Sequence, residues 1–122
     1  IRTAYVNHDA SHHLVVKGKT DYIIHEGGIV ATTEEPDIPE LEAIGGTGDT
    51  ITGQIAAFTF AGLEPDEAGI IATRANRAAG KAADVTPATR VAAIIDKFPE
   101  IYKENLCEWS GVCSMKGDEK ND

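Results

Sequence analysis

The stretch from Gly45 to Gly53, "GGTGDTITG", surrounds the single carboxylate of Asp49 with four glycines. The apolar run "QIAAFTFAG" follows directly, which places the stretch at the start of a helix. The first N–H groups of a helix have no intrahelical partner and lie at the positive end of its dipole, so they bind anions. Because glycine has no Cβ, a phosphoryl group could reach the N–H groups of residues 46–49. The pattern predicts an anion site beside a carboxylate, although an isolated Asp at a helix start is more often a plain N-cap.

The longer string "GGTGDTITGQIAAFTFAGL" resembles the signature of the ribokinase-like superfamily, in which a Gly-x-Gly-Asp turn forms an anion hole and the Asp serves as base. Its double glycine and Thr47 resemble the ADP/ATP-dependent NAD(P)H-hydrate dehydratase family, which is related to carbohydrate kinases. A second segment, "VVKGKTDYII", resembles the strand ending in Lys-Gly that helps to bind the adenine nucleotide. The resemblance covers about residues 13–100 and corresponds to the C-terminal part of that fold.

The resemblance implies a role for each matching residue. Asp49 would take a proton from the substrate hydroxyl, and Gly46, Thr47 and Gly48 would present N–H groups to the phosphate. The nucleotide would lie beside Lys17, Gly18, Lys19, Thr20 and Asp21. ATP or ADP and charge-neutralising Mg²⁺ are the implied cofactors, and no residue is assigned as a metal ligand. Asp21 departs from the family pattern, which usually has Thr there, and adds a negative charge beside the phosphates.

Three functions follow as hypotheses. The first is an adenine-nucleotide-dependent lyase that removes water from hydrated NAD(P)H. The second is a small-molecule kinase, acting on a sugar or vitamin precursor, because the same base and anion hole would activate a hydroxyl for phosphoryl transfer. The third is a half-domain that binds a nucleotide without catalysis. The substrate of either enzyme would be a small molecule.

Composition excludes some partners. The net charge of −9 makes nucleic acid a poor ligand, and no apolar run reaches the length of a membrane span. These features predict a cytoplasmic protein. The chain opens on Ile1 and its one methionine is Met115, so we expect natural sequence upstream. Absence of the N-terminal half of the family fold would leave open sheet edges. We therefore expect a homo-oligomer or association with that half.

The predicted fold class is α/β, the C-terminal portion of a ribokinase-like fold, with short, mostly antiparallel strands followed by about three packed helices. Two or three strands lie in "HLVVKG" and "DYIIHEGGIVATT", with a hairpin turn at Glu26-Gly27-Gly28. The proline-containing segment "EEPDIPELEAIGG" is predicted as a loop. A first helix over about 50–61 ends at Gly62, and a second begins at Pro65.

The second helix packs through Ala68, Ile71, Ala72, Ala75, Ala79 and Ala82. A third helix begins at Thr86-Pro87 and carries Val91 to Phe98, and Pro99 begins a final turn or short helix through Tyr102. Residues 1–106 form the nucleotide- and phosphate-binding portion, and 107–122 form a polar tail.

Several other residues are interpreted structurally. His8, His12 and His13 are typical of a solvated loop. Arg74, Arg77 and Lys81 are typical of a polar helix face, with Asn76 a weak candidate for nucleotide contact. Cys107 and Cys113 are expected to be ordinary thiols, and Trp109 could be an exposed interface residue.

Overall fold

A computed structural model describes residues 11–110, and these open with a three-stranded antiparallel sheet. Strand β1 is His13–Val16, β2 is Asp21–His25 and β3 is Gly28–Thr33, in spatial order β1-β2-β3. The β2–β3 turn is Glu26-Gly27, and both residues have positive φ (49° and 87°). Two such residues are typical of the type I′ turn, whose twist matches that of the strands. The predicted strands and hairpin are confirmed.

Helices make up the rest of the described chain. A 3₁₀ helix, Pro39–Ala43, precedes α1 (Thr47–Phe60), α2 (Pro65–Ala82), α3 (Val91–Ile95) and α4 (Phe98–Ser110). The end of α1 is a Schellman motif, because Gly62 at φ 107° donates to Thr59 O and the N–H of Leu63 donates to Phe58 O. The α/β class predicted from the sequence is confirmed.

Helix α2 lies at the centre and contacts the sheet, α1, α3 and α4. Its small side chains allow this close packing: Ala68, Ala72, Ala75 and Ala79 are fully buried, whereas Ala82 is exposed, contrary to prediction. Gly69 faces Val15 and Ile23 of the sheet. The main apolar cluster lies at the C-terminal half of α2 and consists of Leu41, Ile44, Ala75, Ala79, Val85, Ile94 and Ile101.

The predicted loop before the glycines contains the 3₁₀ helix, which buries Leu41 against α2. Residues 86–90 are not helical, although the third helix was predicted to begin at Thr86-Pro87. Thr89 Oγ1 accepts from the N–H of Thr86, and Thr86 Oγ1 accepts from the N–H of Ala88. These side-chain bonds compete with helical bonding, so α3 begins only at Val91.

The C-terminal part of the described chain differs from the prediction in three ways. Helix α4 continues to Ser110, beyond the turn or short helix expected through Tyr102, while the division at residue 106 stays a prediction. Trp109 packs against the apolar cluster. Cys107 is disulfide-bonded, so it is not an ordinary thiol, and Cys113 lies outside the described residues.

Residues 1–10 and 111–122 are not described, so His8 and most of the predicted tail also fall outside the structure. None of the helices that the structure describes is both long and apolar enough to cross a bilayer.

Candidate functional site

The glycine-rich stretch forms the N-terminus of α1. Gly46 is the N-cap residue at φ 96°, and its carbonyl accepts the first intrahelical hydrogen bond from the N–H of Thr50 (3.0 Å). Among residues 11–110 no side chain caps this end, so within that range the N–H groups ahead of Thr50 have no intrahelical or side-chain partner. A Cβ on Gly48 would meet no atom within 4 Å, which means that the approach to this residue is open.

Asp49 lies within the first turn of α1, because the helix begins at Thr47 rather than near residue 50 as predicted. Its side chain is exposed and makes no capping hydrogen bond, so the plain N-cap interpretation does not apply. Thr47 is buried, and its hydroxyl points back to the carbonyls of Leu41 and Ile44 (both 3.4 Å). The hydroxyl of Thr47 is therefore not available to an anion, while the carboxylate of Asp49 faces solvent.

The second motif, residues 17–21, is held by a buried ion pair. Arg77 Nε donates to Asp21 Oδ2 (2.8 Å), and the other carboxylate oxygen accepts from the N–H of Gly18 (3.0 Å). Arg77 Nη2 also donates to the carbonyls of Gly18 and Lys19 (2.9 and 2.8 Å). The Asp21 and Arg77 side chains are only 4% and 7% exposed. The polar-face interpretation of Arg77 is therefore wrong, although Arg74 and Lys81 are exposed as expected.

A cavity of about 300 Å³ lies beside this second motif. Lys17, Gly18, Lys19 and Asp21 form one wall, and the segment Asp37–Glu42 forms another. The base includes Asn76, which is 2% exposed and accepts a hydrogen bond from Thr50 Oγ1 (2.6 Å). Asn76 thus joins this cavity to the first turn of α1.

A second cavity, of about 420 Å³, has Lys17 in common with the first. Lys17 lines both cavities, and Gly48 at the N-terminus of α1 lines the second. The remaining walls of the second cavity include Val15, Ile51 and Ile55. Lys17 therefore lines both a cavity beside residues 17–21 and a cavity that includes Gly48 of the glycine-rich stretch.

Three other predicted site residues, Gly46, Asp49 and Thr20, line neither of these two cavities. Gly46 and Asp49 line a third cavity, of about 470 Å³, with Val91 and Phe98 on its other side. Thr20 lines neither of the first two cavities, and its hydroxyl donates to Glu34 Oε1 (3.2 Å). The structure thus brings Lys17 near Gly48, and it places Asp49 on a different side of the same helix end.

Sequence reasoning missed Arg77 and gave Asn76 little weight. A signal was present, because residue 76 lies four residues after Ala72 and three before Ala79, on the apolar face of α2. A polar residue on that face must find a buried partner. The partner of Asn76 is Thr50, which a single-helix pattern does not reveal.

Comparison with known proteins agrees with these motifs. Residues 4–99 match the family described as NAD(P)H-hydrate dehydratase. The chain is 37% identical over 94 residues to an uncharacterized protein of Methanocaldococcus jannaschii; the match covers 77% of this chain and 41% of that protein. The chain thus spans less than half of the length of this relative. No solved structure matches the chain. Because the family match extends over most of its length, the chain belongs to the NAD(P)H-hydrate dehydratase family of carbohydrate-kinase-related proteins.

Proposed function

We propose that this chain carries the nucleotide- and phosphate-binding part of an adenine-nucleotide-dependent lyase that acts on hydrated NAD(P)H. The position of Lys17 supports this proposal most directly, since it lines both the cavity beside residues 17–21 and the cavity that reaches Gly48. A nucleotide in the first cavity could extend its phosphates past the Lys17 ammonium toward the open N–H groups of α1.

In the proposed reaction Asp49 accepts the proton of the substrate hydroxyl. The hydroxyl oxygen then forms a bond to the terminal phosphorus of ATP or ADP, while the bond from that phosphorus to the nucleotide oxygen breaks. Loss of the resulting phosphate, with cleavage of the C–O bond and departure of a proton from the neighbouring carbon, restores the double bond of the reduced nicotinamide. The N–H groups of Gly46, Thr47 and Gly48 would stabilise the charge on the transferred group.

Mg²⁺ would supply the remaining charge neutralisation. This ion is usually bound by substrate phosphates, waters and one or two carboxylates, so it needs no cage of protein ligands. Asp49 is thus left to accept the proton, and no residue of this chain is assigned to the ion.

Within this proposal Asp21 is a positioning residue. Both of its carboxylate oxygens are engaged, one by Arg77 and one by Gly18. The negative charge that departs from the family pattern is thus paired inside the protein and does not face the phosphates alone. The exposed side chains of Lys17 and Lys19 remain to contact the nucleotide, whereas both backbone polar groups of Gly18 are already bonded to Asp21 and Arg77.

The test compares Asp49→Asn with Asp84→Asn. Asp84 is exposed at φ 50°, a conformation that Asn tolerates, so it controls for loss of a surface carboxylate. Each protein is given hydrated NADPH, ATP or ADP, and Mg²⁺, and recovery of NADPH absorbance and release of phosphate are measured. We expect Asp49→Asn to lower kcat by about 10²- to 10⁴-fold, with nucleotide affinity and the control unchanged.

Unchanged turnover in Asp49→Asn would rule out the base assignment. Appearance of a stable phosphorylated product, without recovery of NADPH, would instead support the kinase alternative. Nucleotide binding without turnover in the wild-type chain would support the non-catalytic half-domain. ATP and ADP are tested separately because the two donors would leave ADP and AMP, respectively.

A further inference from the structure

Two histidines face each other across the first two strands. His13 of β1 and His25 of β2 are register partners, and their ring centroids are 4.4 Å apart. The N–H of Glu26 donates to His12 O (2.7 Å), which marks the neighbouring 12/26 pair as hydrogen-bonded. Since the two pair types alternate, 13/25 is a non-hydrogen-bonded pair, in which side chains lie closest.

Asp66, in the first turn of α2, lies against both rings. Its Oδ1 is 3.0 Å from His13 Nδ1 and its Oδ2 is 3.0 Å from His25 Nδ1. Burial raises the pKa of the Asp66 carboxyl, but the hydrogen bonds and charges of the two histidines outweigh this and lower the pKa below its ordinary value. One ligand atom from each of the three residues lies within 4.8 Å of the other two.

We propose that His13, His25 and Asp66 bind a divalent transition-metal ion, Zn²⁺ being the ion that these donors fit best. Two imidazole nitrogens and one carboxylate oxygen form a common three-ligand set for zinc, with water as the fourth ligand. Donor atoms in such a tetrahedral site are about 3.4 Å apart. The two nitrogen–oxygen separations of 3.0 Å are slightly shorter than this, and no two of the three ligand atoms are more than 4.8 Å apart, so the side chains must adjust their positions to bind the ion.

The partial exposure of His13, His25 and Asp66 suits a metal ion that binds and exchanges with solvent. The three side chains are 25–43% exposed, which provides a path of entry and room for a water ligand. The carboxylate is already centred between the rings, so the metal would replace the hydrogen bonds that now join them. The ion would tie β1 and β2 to the start of α2, and this role does not depend on the proposed lyase activity.

The test is a calorimetric titration of the whole chain with Zn²⁺, without reductant, so that the disulfide of Cys107 is kept. The variants are His25→Ala and Asp66→Asn. The control is His12→Ala, because His12 is an exposed histidine adjacent to the cluster that is hydrogen-bonded to Glu26. Circular dichroism of each variant checks that it is folded.

We expect one Zn²⁺ per wild-type chain, an affinity reduced at least about 100-fold in either cluster variant, and no comparable loss in the control. Binding of Co²⁺ should give the visible absorption of a four- or five-coordinate ion in the wild type, and Asp66→Asn should weaken it. Absence of saturable binding to the wild type would overturn the proposal. Equal binding by the cluster variants and His12→Ala would also overturn it, because the ion would then lie elsewhere.

Discussion

Arg77 donates all five of its guanidinium N–H groups to acceptors within the chain. Nε binds the Asp21 carboxylate, and the other four groups bind the carbonyls of Gly18, Lys19, Glu34 and Pro36. The fixed fork of the guanidinium suits this role, which the ammonium of lysine could not fill. One side chain of α2 therefore holds both the β1–β2 loop and the segment after β3.

Replacing Arg77 with Met should destabilise the protein by about 3–5 kcal/mol, because the Asp21 carboxylate would be left buried without its partner. Urea unfolding measures the loss, and Arg74→Met, an exposed arginine on the same helix, should stay within about 0.5 kcal/mol of wild type. Adding Asp21→Asn to Arg77→Met should recover part of the loss, since it removes the unpaired charge. If Arg77→Met lowers the free energy of unfolding by less than about 1 kcal/mol, the Arg77–Asp21 ion pair does not stabilise the fold as expected.

The sequence predicted the place of the glycine-rich stretch in the fold better than it predicted the residues that hold residues 17–21 in position. The glycines and Asp49 carry a local pattern, and the structure places them at a helix N-terminus as predicted. The buried role of Arg77 could not be predicted from a local pattern, because its ion-pair partner Asp21 is 56 residues away. The i, i+3, i+7 spacing of Arg74, Arg77 and Lys81 is also typical of an exposed helix face. The assigned roles of the site residues stay predictions.

Glycines in the helices serve different purposes. A Cβ on Gly80 of α2 would lie 2.8 Å from Leu41 Cδ2, whereas a Cβ on Gly53 of α1 would meet nothing within 4 Å. Gly80 thus allows the 3₁₀ helix to pack against α2. No packing contact among the described residues requires a glycine at position 53.

We therefore expect opposite effects from the same substitution. Gly53→Ala should stabilise the protein by about 0.5–1 kcal/mol, because alanine favours helix and the site is open. Gly80→Ala should destabilise it by about 1–3 kcal/mol, because Leu41 must move within a packed cluster. Thermal and urea unfolding of both variants provide the comparison, and a stabilised Gly80→Ala would show that Leu41 moves at little cost.

The elements with strong local signals were predicted well. Gly62 ends α1 and Pro65 begins α2, as their conformational preferences require. The start of the third helix was predicted wrongly, because Pro87 at a helix start and a turn held by Thr86 and Thr89 share the same sequence signal. Helix α4 contributes Ile101 to the apolar cluster and packs Trp109 against it, and this packing is not visible in a local sequence pattern.

Across the whole molecule, Tyr102 joins the last helix to the first. Its hydroxyl donates to Gln54 Oε1 of α1, and its ring meets Phe58 edge-on at 5.4 Å. Burial raises the Tyr102 pKa well above its ordinary value of 10.0. The folded state therefore favours the neutral phenol, whereas the unfolded chain ionises near the ordinary value.

We therefore expect Tyr102 to make the free energy of unfolding decrease at alkaline pH. Its contribution is complete below pH 10 and is lost as the pH rises from there toward the raised pKa. Tyr102→Phe should lower Tm near neutral pH through loss of the hydrogen bond, and the difference from wild type should shrink or reverse above pH 10. Tyr22→Phe is the control, because Tyr22 is 37% exposed. A Tyr102→Phe difference that stays constant with pH would contradict the prediction.

Association of the chain with a second copy or with the other half of the fold stays a prediction. In the described residues β1 and β3 are the edges of a three-stranded sheet, and Ile29 and Val30 of β3 are 61% and 53% exposed. The cytoplasmic location likewise stays a prediction.

The hydrogen bonds of Arg77 also constrain the order in which the chain can fold. Residues 18 and 77 are 59 positions apart, so the loop after β1 gains these bonds only once α2 has formed and docked. Closing so long a segment is slow compared with forming a hairpin or a helix. During synthesis, the sheet can pair early, but residues 17–21 reach their final shape only after the chain has emerged past residue 77.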